Sequence, residues 1–310
     1  MVRITEAEVT QLLPMRACID QMRLAFEAIR AGKTHNQPRR RLILPTGSVL
    51  HQMAGSWGNY FCTKIYSSNI RHGGLHDMFV LLYDAETGKP LAFIEALQLS
   101  LIRTGAASGY AADLLSNPQA EVLGIIGSGA QARTQVEAIR AVRPIKEVRV
   151  WSRNTENAQK FADDLGCTLT ETAEAAVRGA HIVVTATTAK DAVIATDWVE
   201  PGVFVAAMGS NIANRREMPT DLIKTAGLIA VDDLEQARIE AGDLLLAYAG
   251  TEHWKNVEEL ENVKPGYDPS RVTIFESLGI AVEDAAAAAY VYERFQAPTV
   301  TSTTTSPPSA

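Results

Sequence analysis

The chain has 310 residues, 46% hydrophobic and 21% charged, with a formal net charge of −7 and no basic run longer than Arg39-Arg40-Arg41. That much apolar material builds a sizeable core, and the length suits two domains. The acidic balance excludes a broad basic face for nucleic acid or an anionic membrane, which leaves a small molecule as the expected partner.

In chain order, Thr5 and Glu8 stand at capping-box spacing before a first helix, and Pro14 opens a second with Ile19, Met22, Phe26 and Ile29 on one face. Between Arg39 and Glu95, short β-rich runs such as "YFCTKIYSS" and "MFVLLYD" alternate with Gly, Asn and Pro turn signals and predict an antiparallel sheet. "LQLSLIRTGAASGYAADLLS" follows as a helix whose small residues permit close packing. From Glu121 onward strand and helix alternate through VLGII, EVRVW, TLT, HIVVTA, VFVAAMG and LIAVDD to "VTIFES", the pattern of a parallel sheet covered on both faces. The helix "GIAVEDAAAAAYVYERF" then returns toward the first domain, and "APTVTSTTTSPPSA" has the composition of a disordered tail.

The three cysteines, Cys18, Cys62 and Cys167, are odd in number and scattered, so neither a disulfide framework nor a zinc site is expected; Cys62 has the apolar neighbours of an inert thiol. His72 and His76 are four residues apart, but the Gly73-Gly74 pair between them predicts a turn rather than a metal-binding helix, and no metal is expected. The first residues lack the apolar stretch of a signal peptide and no run approaches a membrane span, so a cytoplasmic location is expected.

Gly127, Gly129 and Ala132 form G-x-G-x-x-A directly after a strand and at the start of a helix, the context that makes this pattern informative for a dinucleotide. The first glycine permits the turn, the second lets the backbone approach the pyrophosphate, and Ala132 allows close helix packing, while the helix N-terminus offers unpaired N–H groups. Ala130 and Gln131 belong to the same expected cradle. The second strand ends at Ser152, Arg153 and Asn154, without the acidic residue that holds a ribose 2′-hydroxyl, which favours NADP(H) over NAD(H). Thr185, Ala186 and Thr187, then Met208 and Ser210, end later strands and are expected on the nicotinamide side of the crevice, with Gly279 beside them.

The stretches "TKIYSSN", "VLLYDAETGKPLAFIEALQLSLIRTGAASGYAADLL", "LGIIGSGAQARTQ", "MGSNIANRREM" and "VTIFESLGIAVED" together resemble the ornithine cyclodeaminase/μ-crystallin family over nearly everything before the tail. The resemblance implies an α/β protein: an α+β substrate and dimerisation domain of residues 1–116 with 281–297, a Rossmann-type doubly wound parallel sheet in residues 117–280, and a tail over 298–310. It implies a homodimer and an α-amino acid, or its imino or keto counterpart, as substrate. The family's carboxylate-binding arginines fall on Arg40 and Arg103 and its active-site lysine on Lys64. Two guanidinium forks can fix a carboxylate over a nicotinamide ring, and a semi-buried lysine can serve as proton donor. Strand alternation turns Arg40 to the opposite side from Arg39 and Arg41. Arg103, among small residues, needs a strong partner; with substrate in that role, its loss is expected to damage substrate use while sparing the fold.

Two positions depart from ornithine cyclodeaminase. Asn211 replaces an aspartate and His51 a glutamate, so neither carboxylate that would attract a distal ammonium is present. Asn211 can orient a substrate or water but cannot act as a base, and His51 is open to the roles of acid, hydrogen-bonding orienter or satisfied core residue. The expected function is NADPH-dependent reduction of an imino or keto acid, by a ketimine reductase or amino-acid dehydrogenase. A cyclodeaminase-type lyase and a nonenzymatic, crystallin-like dinucleotide-binding dimer are the alternatives.

Overall fold

The structure is a computed structural model in which residues 1–72, 74–209, 211–251, 254 and 256–297 are described. The expected tail over 298–310 and Ser210 lie outside the described residues.

The first sheet comprises β1 (Val2–Ile4), β2 (Asn36–Ile43), β3 (Val49–Trp57), β4 (Tyr60–Asn69), β5 (Gly74–Asp84) and β6 (Pro90–Glu95), in the order β1-β6-β5-β4-β3-β2. It is mixed rather than antiparallel, because β1 runs parallel to β6 at the edge. The side chains flanking β1 fix that pairing: Arg3 binds Glu95 at 2.6 Å, and the Glu6 carboxylate accepts from the N–H groups of Leu97 and Gln98, satisfying donors at the start of a helix.

Helices α1 (Glu6–Leu12), α2 (Met15–Arg30) and α3 (Leu97–Leu115) belong to this half. The Thr5–Glu8 capping box forms as the spacing predicts. The small residues of α3 let it lie against α4 (Ala130–Val142): a Cβ on Gly105 would come within 2.7 Å of the Thr134 carbonyl oxygen.

The second sheet is wholly parallel. Its strands are β7 (Val122–Ile126), β8 (Glu147–Trp151), β9 (Thr168–Leu169), β10 (Ile182–Thr185), β11 (Phe204–Ala207), β12 (Leu228–Val231), β13 (Val257–Glu259) and β14 (Thr273–Glu276), in the order β13-β12-β14-β11-β10-β7-β8-β9. The last strand in sequence therefore sits between β11 and β12, and the edge strand β13 carried no sequence signal. Helices α5 (Thr155–Leu165), α6 (Ala173–Val177), α7 (Thr220–Thr225), α8 (Leu234–Glu240) and α9 (Gly242–Ala247) complete the connections. The chain is thus an α/β protein with a mixed N-terminal sheet and a Rossmann-like parallel sheet.

The final helix, α10 (Ala281–Gln296), leaves the parallel sheet and packs on β3, β4 and α2. Its alanine run allows the approach, and Gly55 of β3 has no room for a side chain, since a Cβ there would lie 2.7 Å from the Ala281 backbone. One apolar core joins the first sheet, α3, α10 and one face of the parallel sheet, and a second fills the other face. Among the described residues no helix is long and apolar enough to cross a membrane, and no group of His, Cys, Asp or Glu could hold a metal.

Candidate functional site

The cradle at the end of β7 has the form its sequence predicts. Gly127 adopts φ +118°, and a Cβ on it would collide with the carbonyl oxygen of Ala186. Gly129 caps α4 with no side-chain hydrogen bond, and a Cβ there would meet nothing within 4 Å, so open space faces the helix N-terminus. Ala132 is fully buried behind it. A cavity of about 290 Å³ joins Gly127 and Gly129 to Ser152, Arg153, Asn154, Ala186 and Thr187. Arg153 is exposed at its rim, and Asn154 also accepts from Asn157 N–H to cap α5. These features fit a dinucleotide: unpaired N–H groups for phosphate, room at the second glycine, and a cation beside the cavity.

A neighbouring crevice of about 360 Å³ is bordered by Ala130, Gln131, Ala186, Thr187, Met208 and Gly209 on one wall and by Met78, Leu97 and Ser100 on the other. The buried Gln131 Oε1 has no protein partner in this crevice. Thr185 is buried at the end of β10 with its hydroxyl unpartnered. Sequence reasoning missed Glu217, whose carboxylate accepts from Thr187 N–H at 2.6 Å and Gly209 N–H at 2.7 Å and so ties together two loops of the crevice wall. Burial pushes its pKa up to about 7, against the pull of these hydrogen bonds. Gly279 lines neither cavity. With φ +73° it lies against Arg103, where a Cβ would come 2.5 Å from Nη1, while its N–H donates to Asp232.

On the first sheet, cross-strand register sorts the cations. Arg41, His51, Tyr66 and Met78 form one row across β2 to β5, and Met53, Lys64, Val80 and Ile94 form the next row on the same face. Arg40 belongs to the opposite row, Arg40–Gln52–Ile65–Phe79, and is exposed. The expectation for Arg40 is therefore corrected: a register shift between Gln37 and Arg40 leaves Arg39 and Arg41 on the Lys64 face and turns Arg40 away. Arg39 is buried, pairs with Glu240 and donates to the carbonyls of Leu278 and Gly279. Arg41, with 21% of its side chain exposed, reaches Glu240 at 2.7 Å and the carbonyl of Asn211 at 2.9 Å.

Lys64 and Arg103 meet at α10. Asp284 Oδ1 accepts from both Lys64 Nζ and Arg103 Nε at 2.9 Å, its Oδ2 lies 2.7 Å from the lysine ammonium as an ion pair, and Glu283 accepts from Arg103 Nη1 at 2.8 Å. Arg103 Nη2 has only a long 3.4 Å contact to the hydroxyl of Ser100, a residue of the crevice wall. Burial lowers the Lys64 pKa to about 8, reinforced by Arg103 and opposed by Asp284. Burial would raise Asp284, but Arg103 and Lys64 outweigh it and hold the carboxylate ionised. Glu283 is pushed up to about 8 by burial and by Asp232. Arg103 thus already has carboxylate partners in the protein. Its removal strands two buried acids, so the expectation that its loss spares the fold is overturned.

His51 stacks on Tyr66 with ring centroids 4.3 Å apart, and its Nε2 lies 2.9 Å from the Ser68 hydroxyl. Burial, then Arg41 and Arg39, lower its pKa to about 4, which keeps the ring neutral near pH 7. Cys62 is buried and its thiol pushed well up by burial, in keeping with an inert role.

A model of the ornithine cyclodeaminase/mu-crystallin family matches residues 1–298. The chain is 36% identical to the ketimine reductase mu-crystallin of Rattus norvegicus over 70% of its own length and 69% of the relative's. A Thermococcus litoralis Delta(1)-pyrroline-2-carboxylate reductase solved with NADH and L-proline superposes with a TM-score of 0.89 at 28% identity, covering 95% of this chain and 97% of that one. An archaeal alanine dehydrogenase dimer with bound NAD superposes with a TM-score of 0.87 at 32% identity, over 94% of each chain.

Proposed function

The chain belongs to the ornithine cyclodeaminase/mu-crystallin family, and on that premise we propose that it is an NADPH-dependent reductase of imino or keto acids, of the ketimine reductase or amino-acid dehydrogenase type. The observation that carries this reading is the contact of the Lys64–Asp284–Arg103 cluster with the crevice beside the glycine cradle, through Ser100.

Gly127, Gly129, Ala130 and Gln131 would hold the dinucleotide, with Arg153 beside the adenosine ribose favouring NADP(H) over NAD(H). The cofactor supplies the hydride when bound. Arg103 Nη2 holds the substrate carboxylate, with Arg39 adding positive charge from behind. Lys64, buried and near pKa 8, donates a proton to the substrate nitrogen or oxygen as the carbon is reduced. Asp284 keeps the ammonium aimed. Asn211 and the neutral His51 orient substrate or water.

Arg41 beside Asn211 and His51 opposes the lyase alternative, because a guanidinium repels the distal ammonium of a diamino acid. A cytoplasmic homodimer is part of the same reading. Leu42, Leu50 and Phe61 are exposed on the sheet face that carries Arg40, and a second copy would cover them. Following NADPH absorbance with cyclic imino acids, and with keto acids plus ammonium or amines, tests the reaction. Turnover with net NADPH loss is expected; ammonia release from ornithine or lysine without net loss would replace it by the lyase. Light scattering should give a dimer at micromolar concentration.

A further inference from the structure

The row Arg41–His51–Tyr66–Met78 lies on the sheet face that carries Lys64 but takes no part in the proton transfer above. Met78 borders the crevice directly, so the row extends one of its walls away from Lys64. The far end of that wall is positively charged. Arg39 and Arg41 share one carboxylate, Glu240, and the groups acting on the neighbouring His51 are those same two arginines. His51 stays neutral and Asn211 is an amide, so neither offsets the second guanidinium.

Arg41 is also the partly exposed member of the pair, and it has donors to spare. Both of its contacts, to Glu240 and to the Asn211 carbonyl, run through Nη2, which leaves Nε and Nη1 without an acceptor among the described residues. Arg39 also has an unpartnered Nε, but that residue is buried, and its Nη1 and Nη2 are taken up by Glu240 and the carbonyls of Leu278 and Gly279. Two residues of extended strand separate the pair, about 6.6 Å at the usual rise, so Arg41 lies one side-chain length beyond Arg39 and the Lys64 row. Through Asn211 it also reaches the opposite wall, where Met208 and Gly209 precede that residue.

We infer that Arg41 is a specificity-determining residue which accepts a second carboxylate, and that the substrate class is a 2-imino or 2-oxo dicarboxylic acid or the corresponding acidic amino acid. This rests on the proposed reductase reading and deepens it. An apolar or ammonium-bearing side chain would offer the spare donors of Arg41 no acceptor, whereas a carboxylate completes the guanidinium fork.

The test compares kcat/KM for 2-oxoglutarate and oxaloacetate with that for pyruvate and 2-oxobutyrate, each with ammonium and NADPH, in the full-length protein and in Arg41→Met and Arg41→Lys. The expected result is a preference for the dicarboxylates of at least about ten-fold, a collapse of that ratio in Arg41→Met, and partial retention in Arg41→Lys. A wild-type preference for monocarboxylates overturns the inference, as does an Arg41→Met variant in which both classes fall alike. A parallel measurement needs no turnover. In the presence of NADPH, succinate should raise the melting temperature of the wild type more than butyrate does, and Arg41→Met should erase the difference. Absence of turnover with every acid defeats the reductase reading alone. Equal effects of succinate and butyrate on the wild type defeat the dicarboxylate subsite alone.

Discussion

The proposed cofactor cradle and the proposed substrate face are built on opposite principles. The cradle is local and made of backbone: Gly127 and Gly129 are two residues apart, and their function depends on side chains being absent. The substrate face is assembled from distant segments and made of charge: Arg39 and Arg41 from β2, Lys64 from β4, Arg103 from α3, Glu240 from α8, and Glu283 and Asp284 from α10. A local device tolerates or fails substitution by sterics alone. A charge network fails as a unit, because removing one member leaves its partners buried and unpaired.

The strongest way to break this comparison is Arg103→Ala. Loss of the proposed carboxylate anchor should lower kcat/KM by roughly 100-fold or more, and the stranded Glu283 and Asp284 should cost on the order of 3–5 kcal/mol in stability. Melting curves beside kinetics check both, and an unchanged melting temperature contradicts the network. Gly129→Val probes the cradle: the space is free of protein atoms, so the fold should survive while NADPH binding weakens at least ten-fold in fluorescence titration. Gly127→Ala, strained at its positive φ and blocked by Ala186, should lower the melting temperature without any cofactor present.

The pH dependence tests whether Lys64 belongs to the network. In the proposed reduction Lys64 acts as its ammonium, so kcat should fall as pH rises through about 8, and amino-acid oxidation should rise through the same range. Because Asp284 favours the charged lysine, Asp284→Asn should move this limb to lower pH; a limb that stays in place argues against the coupling. The same depressed pKa makes stability increase with pH between about 8 and the ordinary lysine value of 10.5, where the unfolded chain holds the proton that the folded one has released. Arg153→Asp should weaken NADPH more than NADH by roughly ten-fold, measured as the ratio of KM values. The smallest effect belongs to Arg40→Ala, which should change kcat/KM by less than about two-fold because its side chain faces away from the crevice.

What was legible in the sequence follows the same division. The Thr5–Glu8 box, the Gly127–Gly129 turn and the close packing of α3 could be read because their determinants lie within a few residues or recur with a simple period. Arg103 could be read as a cation in need of a strong partner, but not which one, since Glu283 and Asp284 lie 180 and 181 residues away. The face of Arg40 is not legible in the sequence, because three consecutive arginines offer both faces of a strand and only the irregular register after Gln37 decides between them. Glu217, Asp232 and Glu240 left no mark at all. A buried acid has the same letter as a solvated one, and their burial is a property of the packed parallel sheet and its connections.

The position of α10 at the end of the described fold bears on how the protein is made. During synthesis Lys64 and Arg103 leave the ribosome more than 170 residues before Asp284 does, so the first sheet and α3 exist for some time without the acids that neutralise them. At ordinary elongation rates of about 5–20 residues per second, that interval lasts on the order of ten seconds or more. Until α10 is made, Gly55 of β3 lacks the Ala281 backbone it packs against and the two cations lack Asp284. The two cations therefore gain their buried partners only after α10 has been made, which couples the burial of Lys64 to synthesis of that helix.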